Sequence, residues 1–379
     1  MSRYPTVRPV LLLISNSPWN LLHFRAPLLA ALNERYVVHL AAPPATATAA
    51  LPPNFHELHQ MRPTRADGMA LAHSILELRR LHRQLDPALT LTFTIQPNLL
   101  TGLALWGSRR RYLPTLTGLG YTAKWRGWRG RLLDTLYHLA FRRASVVFMH
   151  NQDDADLARR RRWTGRAKLR VVPGSGVDLQ YFGASELPER RGITECLYVG
   201  RLLKDKGLPE LLAAIERINR PGLRVRLHVV GTTGSANPMA YSASEWADLL
   251  VAHPHDLLPH GHQADVRPFL RACHVFVLPS HREGMPRSTL EALATGRPVV
   301  TTDVPGCRDT VLPDQNGWRV PGKDAAALAT ALLEAHTTPL ARLREMGERS
   351  RSLAEDRFGI ERVQAAYLEA IRQLLPAPC

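Results

Sequence analysis

The chain has 379 residues, of which 45% are hydrophobic, a length and composition that suit two globular domains of about 150–200 residues each. Its formal net charge is +16, and residues 101–170 alone contain 16 Lys and Arg against 4 Asp and Glu, which predicts an anionic partner for the first half. No uncharged apolar run of about 18 residues is present, which excludes a membrane-spanning helix, and the four cysteines lack the paired spacing of a zinc or disulfide framework.

Strand and helix patterns alternate along the whole chain, which predicts an α/β fold with parallel sheets. The apolar run 10–14 leads into Ser, Asn, Ser, Pro and Trp, so a buried first strand is favoured over a signal peptide. In the first half, the predicted strands are 10–14, 36–41, 89–94, 111–116 and 145–149. The predicted helices of this half are 25–33, 69–85 and 130–143.

In the second half, the alternation of strand and helix patterns begins again after a polar, loop-like stretch at 183–192. We place the linker between two domains in this stretch. Its predicted strands are 196–199, 225–230, 256–258, 275–278 and 299–301. Its predicted helices are 208–219, 266–272, 287–294, 325–336, 340–354 and 360–375. Two Rossmann-like halves are the economical interpretation, with ligands expected outside the carboxyl ends of the strands, in a cleft between the domains.

Two carboxylates eight residues apart, Glu283 and Glu291, flank the junction between a predicted strand and a predicted helix. Pro286 suits the first position of that helix, which places Glu291 one to two turns inside it. The helix N-terminus offers amide groups to a diphosphate. Glu283 can then accept hydrogen bonds from sugar hydroxyls, and Glu291 from a ribose diol. The alternative for each Glu alone is a solvated surface acid.

This pattern resembles the Glu-x7-Glu signature of retaining glycosyltransferases of the GT-B type, in particular family 4. The resemblance continues through 197–207, 296–306 and 316–318, covers almost the whole chain and is strongest at about 170–320. It implies a GT-B fold, with two Rossmann-like domains facing across a cleft. The expected domains are an acceptor-binding, membrane-associating domain at 1–185, a nucleotide-sugar-binding domain at 186–358, and a C-terminal helix at 359–379 that crosses back to the first domain.

The resemblance also implies a donor site. Arg201 and Lys206 follow a strand and would stabilise a diphosphate leaving group with fixed positive charge, although basic residues in such a place are commonly just solvated. The sequence contains no His-x-x-x-His metal motif, and we expect no metal and no cofactor. The predicted catalytic residues are Arg201, Lys206 and Glu283. The predicted donor-binding residues are Gly174, Gly231, Gly261, His262, Gly284, Met285, Arg287, Ser288, Thr289 and Glu291.

In the first half, residues 15–25 resemble a Trp-Asn-x-x-x-Phe-Arg pattern of transferases that build lipid-linked oligosaccharides and surface polysaccharides, and 115–121 match another signature of that subgroup. Thr117 stands where many members carry a His that contacts the donor sugar, which leaves its hydroxyl and the main chain of Gly118 and Leu119 as candidates. The predicted acceptor or cleft residues are Asn20, His23, Arg25, Thr117, Gly118, His150 and Asn151. Helix capping and an ordinary strand-end histidine are the alternatives.

Interleaved tryptophans and arginines at 124–131 precede an apolar-faced helix. This combination suits the interface of an anionic membrane, and nucleic-acid binding or a solvated arginine-rich surface are the rival interpretations. We favour the membrane and expect no nucleic-acid partner. The predicted membrane-contacting residues are Trp125, Arg126, Trp128, Arg129 and Arg131.

The sequence therefore predicts a retaining, metal-independent hexosyltransferase or N-acetylhexosaminyltransferase. We expect a UDP-sugar donor and a polyprenyl-diphosphate-linked saccharide or related cell-surface glycan as acceptor, as in lipopolysaccharide synthesis. The expected location is cytoplasmic and peripheral, at the inner face of a bacterial cell membrane. Two alternatives remain open: a UDP-sugar 2-epimerase-like enzyme of the same fold, and a basic membrane-binding protein with an inactive cleft.

Overall fold

The computed structural model describes residues 8–44, 56–62, 68–219, 223–234 and 237–375. The chain divides into two compact units, one formed by Met1–Ser175 with Glu361–Cys379 and the other by Gly176–Ile360. Each unit contains one parallel sheet with helices packed against it, which confirms the predicted α/β fold class.

The division between the units falls before the predicted boundary at residue 185. The buried guanidinium of Arg297 explains this difference, because it donates hydrogen bonds to the backbone oxygens of Ser185 and Glu186. Arg190, farther along the same polar stretch, donates to the backbone oxygens of Ala335 and Thr338. These contacts attach the predicted linker to the second unit.

The sheet of the first unit has seven strands in the order β3-β2-β1-β4-β5-β6-β7, all parallel. The strands are β1 (Val10–Ile14), β2 (Val37–Ala42), β3 (Glu57–Gln60), β4 (Leu89–Phe93), β5 (Tyr112–Leu116), β6 (Val146–Met149) and β7 (Lys168–Val171). Sequence reasoning missed β3 because it is a short edge strand with only one apolar residue, and such strands carry little periodic signal.

The helices of this unit include three that the sequence did not predict. The helices are α1 (Pro18–Phe24), α2 (Ala26–Asn33), α3 (Gly68–Leu85), α4 (Ile95–Ala104), α5 (Gly127–Phe141) and α6 (Gln152–Arg160). We expected a loop where α1 lies, but Pro18 occupies its first position and the Ser17 hydroxyl accepts a hydrogen bond from the Asn20 amide, which are strong signals for a helix start. The sequence also did not predict α4 and α6.

The last helix of the chain, α13 (Ile360–Leu374), packs on the sheet of the first unit. Val363, Tyr367, Ala370 and Ile371 are buried in the same hydrophobic core as strands β1 and β4, and their spacing defines one face of a helix. The Tyr367 hydroxyl also hydrogen-bonds to that of Thr115, at 2.8 Å. The predicted return of the C-terminal helix to the first domain is therefore confirmed.

The sheet of the second unit has six parallel strands in the order β10-β9-β8-β11-β12-β13. The strands are β8 (Ile193–Val199), β9 (Arg224–Val230), β10 (Leu257–Gly261), β11 (Val275–Leu278), β12 (Val299–Thr302) and β13 (Gly317–Val320). The helices are α7 (Leu208–Ile218), α8 (Ala243–Ala252), α9 (Arg267–Ala272), α10 (Arg287–Ala294), α11 (Ala325–Thr337) and α12 (Leu340–Leu353). Strand β13 and helix α8 were not predicted.

Three of the four cysteines lie in the core of the second unit. Cys196, Cys273 and Cys307 are buried free thiols, and burial raises the pKa of Cys273 and Cys307 to about 12. They are therefore unreactive core residues at neutral pH, as the sequence predicts. Cys379 lies outside the described residues.

Candidate active site

The loops that follow the strands of the second sheet meet at its carboxyl edge, where parallel sheets bind their ligands. Gly231 follows β9, and a Cβ at this position would lie 2.0 Å from the backbone oxygen of Gly200, which follows β8. Gly306, after β12, has a φ of +80°, and a Cβ there would lie 2.7 Å from the backbone oxygens of Glu283 and Gly284. Glycine at both positions lets neighbouring loops approach each other this closely.

Two of the predicted catalytic residues form an ion pair, between the ammonium of Lys206 and the carboxylate of Glu283. Lys206 ends a 3₁₀ turn (Lys204–Lys206) after β8, and Glu283 lies between β11 and α10. The side chains are only 18% and 13% exposed. A charged ligand that reaches this pair would interact with it at a dielectric constant below that of water.

Two further residues of this region escaped the sequence-based prediction. The Ser280 hydroxyl donates a hydrogen bond of 2.8 Å to the carboxylate of Glu283. The Tyr198 hydroxyl donates a hydrogen bond of 2.9 Å to the backbone oxygen of Arg201. Burial raises the pKa of Tyr198 well above its usual value, as do the negative charges of Glu283 and Asp205, so the phenol stays a neutral donor. The sequence signal that could have identified Ser280 and Tyr198 was their position in, or next to, the end of a predicted strand.

Arg201, the third predicted catalytic residue, differs from Lys206 in its surroundings. It is exposed, and its guanidinium forms no hydrogen bond or ion pair with the residues that the structure describes. Its backbone is held by Tyr198, while its side chain is available to an anionic ligand. A guanidinium can bind a diphosphate through two parallel hydrogen bonds. The role of Arg201 toward a donor stays a prediction.

Glu291 lies inside α10 and is a buried carboxyl, 8% exposed. Its oxygen accepts a hydrogen bond of 2.9 Å from the Nε of Arg287, one turn earlier in the helix. Burial nevertheless raises the pKa of Glu291 to about 7, and Arg287 only partly offsets this effect. Because Glu291 is buried, the surface-acid interpretation is wrong for this residue. A carboxyl in this setting titrates near neutral pH.

The start of α10 offers fewer amide groups than the sequence predicts. The amides of Thr289 and Leu290 both donate to the backbone oxygen of Pro286, at 3.0 and 3.2 Å. The Thr289 side chain is fully buried, so its expected contact with a donor has neither a free amide nor an exposed hydroxyl to support it. Ser288 and Met285 are half-buried. Ser288 is the second residue of α10, and the backbone amide at this position has no acceptor within an α-helix.

The residues predicted to surround the nucleobase lie at the ends of β9 and β10. The amide of Gly231 donates a hydrogen bond of 2.8 Å to the backbone oxygen of Gly261, the last residue of β10. His262 follows and is exposed. The structure thus joins the two glycines through their backbones, and contact of all three with a base stays a prediction. Gly174, which we also predicted for donor binding, falls in the first unit.

Arg25 and His150 contact each other in the interior of the first unit. The guanidinium of Arg25 lies 3.4 Å from the Nε2 of His150 and 4.6 Å from the ring centroid of Phe93. Both side chains are buried, 3% and 5% exposed. Burial and the positive charge of Arg25 hold the pKa of His150 well below its usual value. His150 is therefore a neutral imidazole, and the burial of both residues favours a structural role.

The other predicted acceptor residues lie in α1, in the loop after β5 and at the start of α6. His23 is exposed and stacks on Trp19, with ring centroids 4.5 Å apart. Thr117 and Gly118 are half-buried after β5, and Gly118 has a φ of 140° that favours glycine. Asn151 caps α6 by accepting a hydrogen bond from the amide of Asp154 at 2.8 Å, as the alternative interpretation expected.

Asn20, the remaining acceptor prediction, is half-buried in α1. Its side-chain oxygen is buried and accepts no hydrogen bond from the residues that the structure describes. A buried acceptor without a partner costs free energy. Among the predicted acceptor residues, Asn20 thus has a side-chain oxygen that can still accept a hydrogen bond.

The Trp/Arg segment, from Trp125 to Arg131, leads into α5 and is only partly exposed. Trp128 is 71% exposed, and the guanidinium of Arg129 lies 5.3 Å from its ring centroid. Arg126 and Arg131 are exposed as well. Trp125 instead packs against the hydrophobic core of this unit, which weakens its predicted contact with a membrane. None of the described helices has the length and apolar character needed to span a bilayer.

Residues 194–338 match the family model described as glycosyl transferases group 1. Among curated proteins, the chain is similar to the capsular polysaccharide biosynthesis glycosyltransferase CapM of Staphylococcus aureus, with 36% identity over 132 residues. That match covers 35% of this chain and 34% of CapM, so the chain spans about a third of the length of this relative. Both the matched region and the proposed donor site lie in the second unit.

Solved structures with similar folds cover nearly the whole chain. Sucrose-phosphate synthase from Thermosynechococcus elongatus superimposes with a TM-score of 0.80 at 20% identity, over 98% of this chain and 100% of that one. Anabaena HepE, solved in complex with UDP and glucose, gives a TM-score of 0.75 at 17% identity, over 96% and 99% of the two chains. The two parallel-sheet units therefore form a GT-B fold, as the sequence predicts.

Proposed function

We propose that this chain is a retaining glycosyltransferase that moves a sugar from a UDP-sugar to a polyprenyl-diphosphate-linked saccharide or a related cell-surface glycan. The observation that carries the proposal is the group formed by Lys206, Glu283 and Ser280 beside α10 in a group 1 glycosyltransferase domain. CapM is named for capsular polysaccharide biosynthesis, which supports a surface glycan as the product.

The donor diphosphate requires positive charge where the bond to the sugar breaks. Lys206 supplies a largely buried ammonium, and Arg201 an exposed guanidinium on the preceding loop. Negative charge grows on the leaving diphosphate, so these cations stabilise the transition state more than the bound substrate. Their combined charge would take the place of a divalent metal ion in this reaction.

Glu283 and Glu291 serve different parts of the donor in this proposal. Glu283 accepts hydrogen bonds from the sugar hydroxyls, and its ion pair with Lys206 holds its carboxylate in place beside the diphosphate. Glu291 accepts hydrogen bonds from the ribose diol. Since burial raises the pKa of Glu291 to about 7, its strength as an acceptor increases as pH rises through neutrality.

Retention follows from substitution on the same face of the sugar. Neither Glu283, which is held by Lys206, nor Glu291, which is buried in α10, is placed as a nucleophile. In this proposal the acceptor hydroxyl attacks as the diphosphate leaves. The departing diphosphate oxygen takes the proton of the acceptor hydroxyl, so the reaction needs no protein base.

The proposed setting is the cytoplasmic face of the cell membrane, where polyprenyl-linked acceptors are available. The exposed Trp128 with Arg126, Arg129 and Arg131 supports this location, since arginines are attracted to anionic lipid and tryptophan favours the interface. The first unit would then hold both the acceptor and the membrane contact.

Product analysis with purified protein tests the proposal. The protein is incubated with a panel of UDP-sugars and polyprenyl-linked saccharides, and the product is identified by mass and by the anomeric configuration in NMR spectra. A new glycosidic bond with the donor's anomeric configuration supports the proposal. Inversion of that configuration contradicts retention, and free epimer without acceptor identifies the epimerase alternative. Absence of any turnover across the panel favours an inactive binding protein.

A further inference from the structure

Three side chains with metal-binding atoms lie together at the edge of the first sheet, in the unit that does not contain the proposed donor site. They are His39 on β2 and Glu57 and His59 on β3. The Nδ1 of His39 lies 3.0 Å from the Nε2 of His59. A Glu57 oxygen lies 3.9 Å from the first nitrogen and 3.6 Å from the second.

Strand pairing explains why the three side chains meet. In the parallel pair β2–β3, His39 is directly opposite Glu57 and Ala41 is opposite His59. Side chains two positions apart on a strand point to the same face, so Glu57 and His59 share the face of His39. Ala41 has too small a side chain to separate His59 from His39. Backbone register therefore places all three side chains side by side on one face of the sheet.

From this geometry we propose that His39, Glu57 and His59 bind a divalent cation of the Zn²⁺ type. Imidazole and carboxylate are ligands that Zn²⁺ prefers, and zinc–nitrogen bonds of about 2.0–2.1 Å at a tetrahedral angle place two nitrogens about 3.3 Å apart. The His39–His59 separation is within a few tenths of an ångström of that value. Glu57 is more than half exposed, so its carboxylate can move closer.

The two facing imidazoles, His39 and His59, can make room for a metal ion by moving one proton. Without an ion, one imidazole must donate its N–H to the other across the 3.0 Å contact. When the cation binds, that proton moves to the opposite nitrogen of the same ring, and both facing nitrogens become metal ligands.

The proposed site also has access to solvent and leaves one coordination position open. Glu57 and His59 line a cavity of about 660 Å³ beside α3, together with His73 and Glu77. Three protein ligands leave a fourth position for water or for a polar group. The expected consequence is stabilisation of edge strand β3 on β2, because an ion bound only in the folded state raises stability.

Zinc titration of tag-free, full-length protein tests this proposal. The protein is treated with a chelator, dialysed and titrated with ZnCl₂ by calorimetry, and with CoCl₂ to record the visible absorption of tetrahedral Co²⁺. We expect one high-affinity ion per chain and a higher melting temperature in its presence. His59→Gln and Glu57→Gln should each weaken binding at least about tenfold, since even outer-shell partners of metal sites contribute that much.

His73→Gln is the matched control, because it removes an exposed histidine from the same cavity without touching the three ligands. It should leave the affinity unchanged. The exposed position of Glu57 makes Glu57→Gln a substitution that should fold, and its melting temperature without metal checks this. Absence of saturable binding to the wild type overturns the proposal. Equal loss in the His73 variant overturns the assignment to His39, Glu57 and His59.

Discussion

Lys206 and Glu283 lie 77 positions apart in sequence and form a largely buried ion pair. The pair connects the turn after β8 to the loop before α10, so each residue fixes the position of the other. The same loops approach closely at Gly207, where a Cβ would lie 1.9 Å from the backbone oxygen of Pro279. The proposed donor site is therefore built from two loops that hold each other in place.

The first prediction concerns the energy of this ion pair. Replacing Lys206 with Met or Glu283 with Gln should each lower the free energy of unfolding by about 2 kcal/mol, because the remaining charge is largely buried and loses its oppositely charged partner. The double variant should lose about 1–2 kcal/mol less than the sum of the single changes. Urea unfolding, fitted separately for the two units, measures these values. Simple additivity would show that the pair is not coupled.

The second prediction concerns the two cations. Arg201→Ala and Lys206→Ala should each lower kcat by about 10²–10³-fold with a smaller change in KM, because they act on charge that develops in the transition state. Activity should persist in excess EDTA. Initial rates over a range of UDP-sugar concentrations provide both constants. A rise in KM alone, or strict dependence on added Mg²⁺, argues against the proposed role.

The third prediction concerns Glu291 and pH. Its folded-state pKa of about 7 lies above the ordinary value of 4.5, so the folded state keeps a proton that the unfolded state loses. The free energy of unfolding should therefore decrease as pH rises from about 4.5 to 7, by up to about 3 kcal/mol. Glu291→Gln should remove this dependence. An unchanged pH profile in the variant would assign the effect to another group.

The fourth prediction concerns donor affinity at the same residue. Glu291→Ala should cost about 2–4 kcal/mol of transition-state stabilisation, because two hydrogen bonds to the ribose diol are lost. In the wild type, UDP should bind more tightly as pH rises through about 7, and the Ala variant should not show this trend. Calorimetric titration with UDP at several pH values measures both effects. An unchanged affinity would contradict the ribose contact.

The fifth prediction concerns the membrane. Changing Arg126, Arg129 and Arg131 to Glu should release the protein from anionic vesicles, since each basic residue near the surface contributes about 1 kcal/mol. Binding of the wild type should weaken as salt rises, because screening acts over a Debye length of about 8 Å at physiological ionic strength. Vesicle sedimentation measures both effects.

The same three changes on α12, at Arg342, Arg344 and Arg349, provide a control with an equal change in net charge. These arginines are exposed and belong to the second unit, so this variant should still sediment with vesicles. The α5 variant should keep its turnover of a short, water-soluble acceptor. If the α5 variant still sediments, another surface binds the membrane. If it loses activity on the soluble acceptor, the segment belongs to the acceptor site.

The sequence by itself determined the fold class and the motif of the proposed donor site. Apolar runs such as 275–278 and 10–14 are largely buried strands in the structure, since strands covered on both faces are continuously hydrophobic. The helix start near Pro286 and the place of Glu291 within α10 also followed from local rules, because proline and helical periodicity act over a few residues. The packing of α13 on the first unit was predicted by resemblance to a family.

Only the tertiary structure decided which side chains meet and which are buried. Strand β3 was missed because it is a short edge strand with one apolar residue, and only its pairing with β2 identifies it as a strand. The buried, neutral setting of His150 beside Arg25, and the pKa of about 7 at Glu291, arise from packing of distant segments. The Lys206–Glu283 pair and the cluster of His39, Glu57 and His59 have the same origin. Local sequence sets the elements, whereas burial and long-range contacts set the charges that chemistry uses.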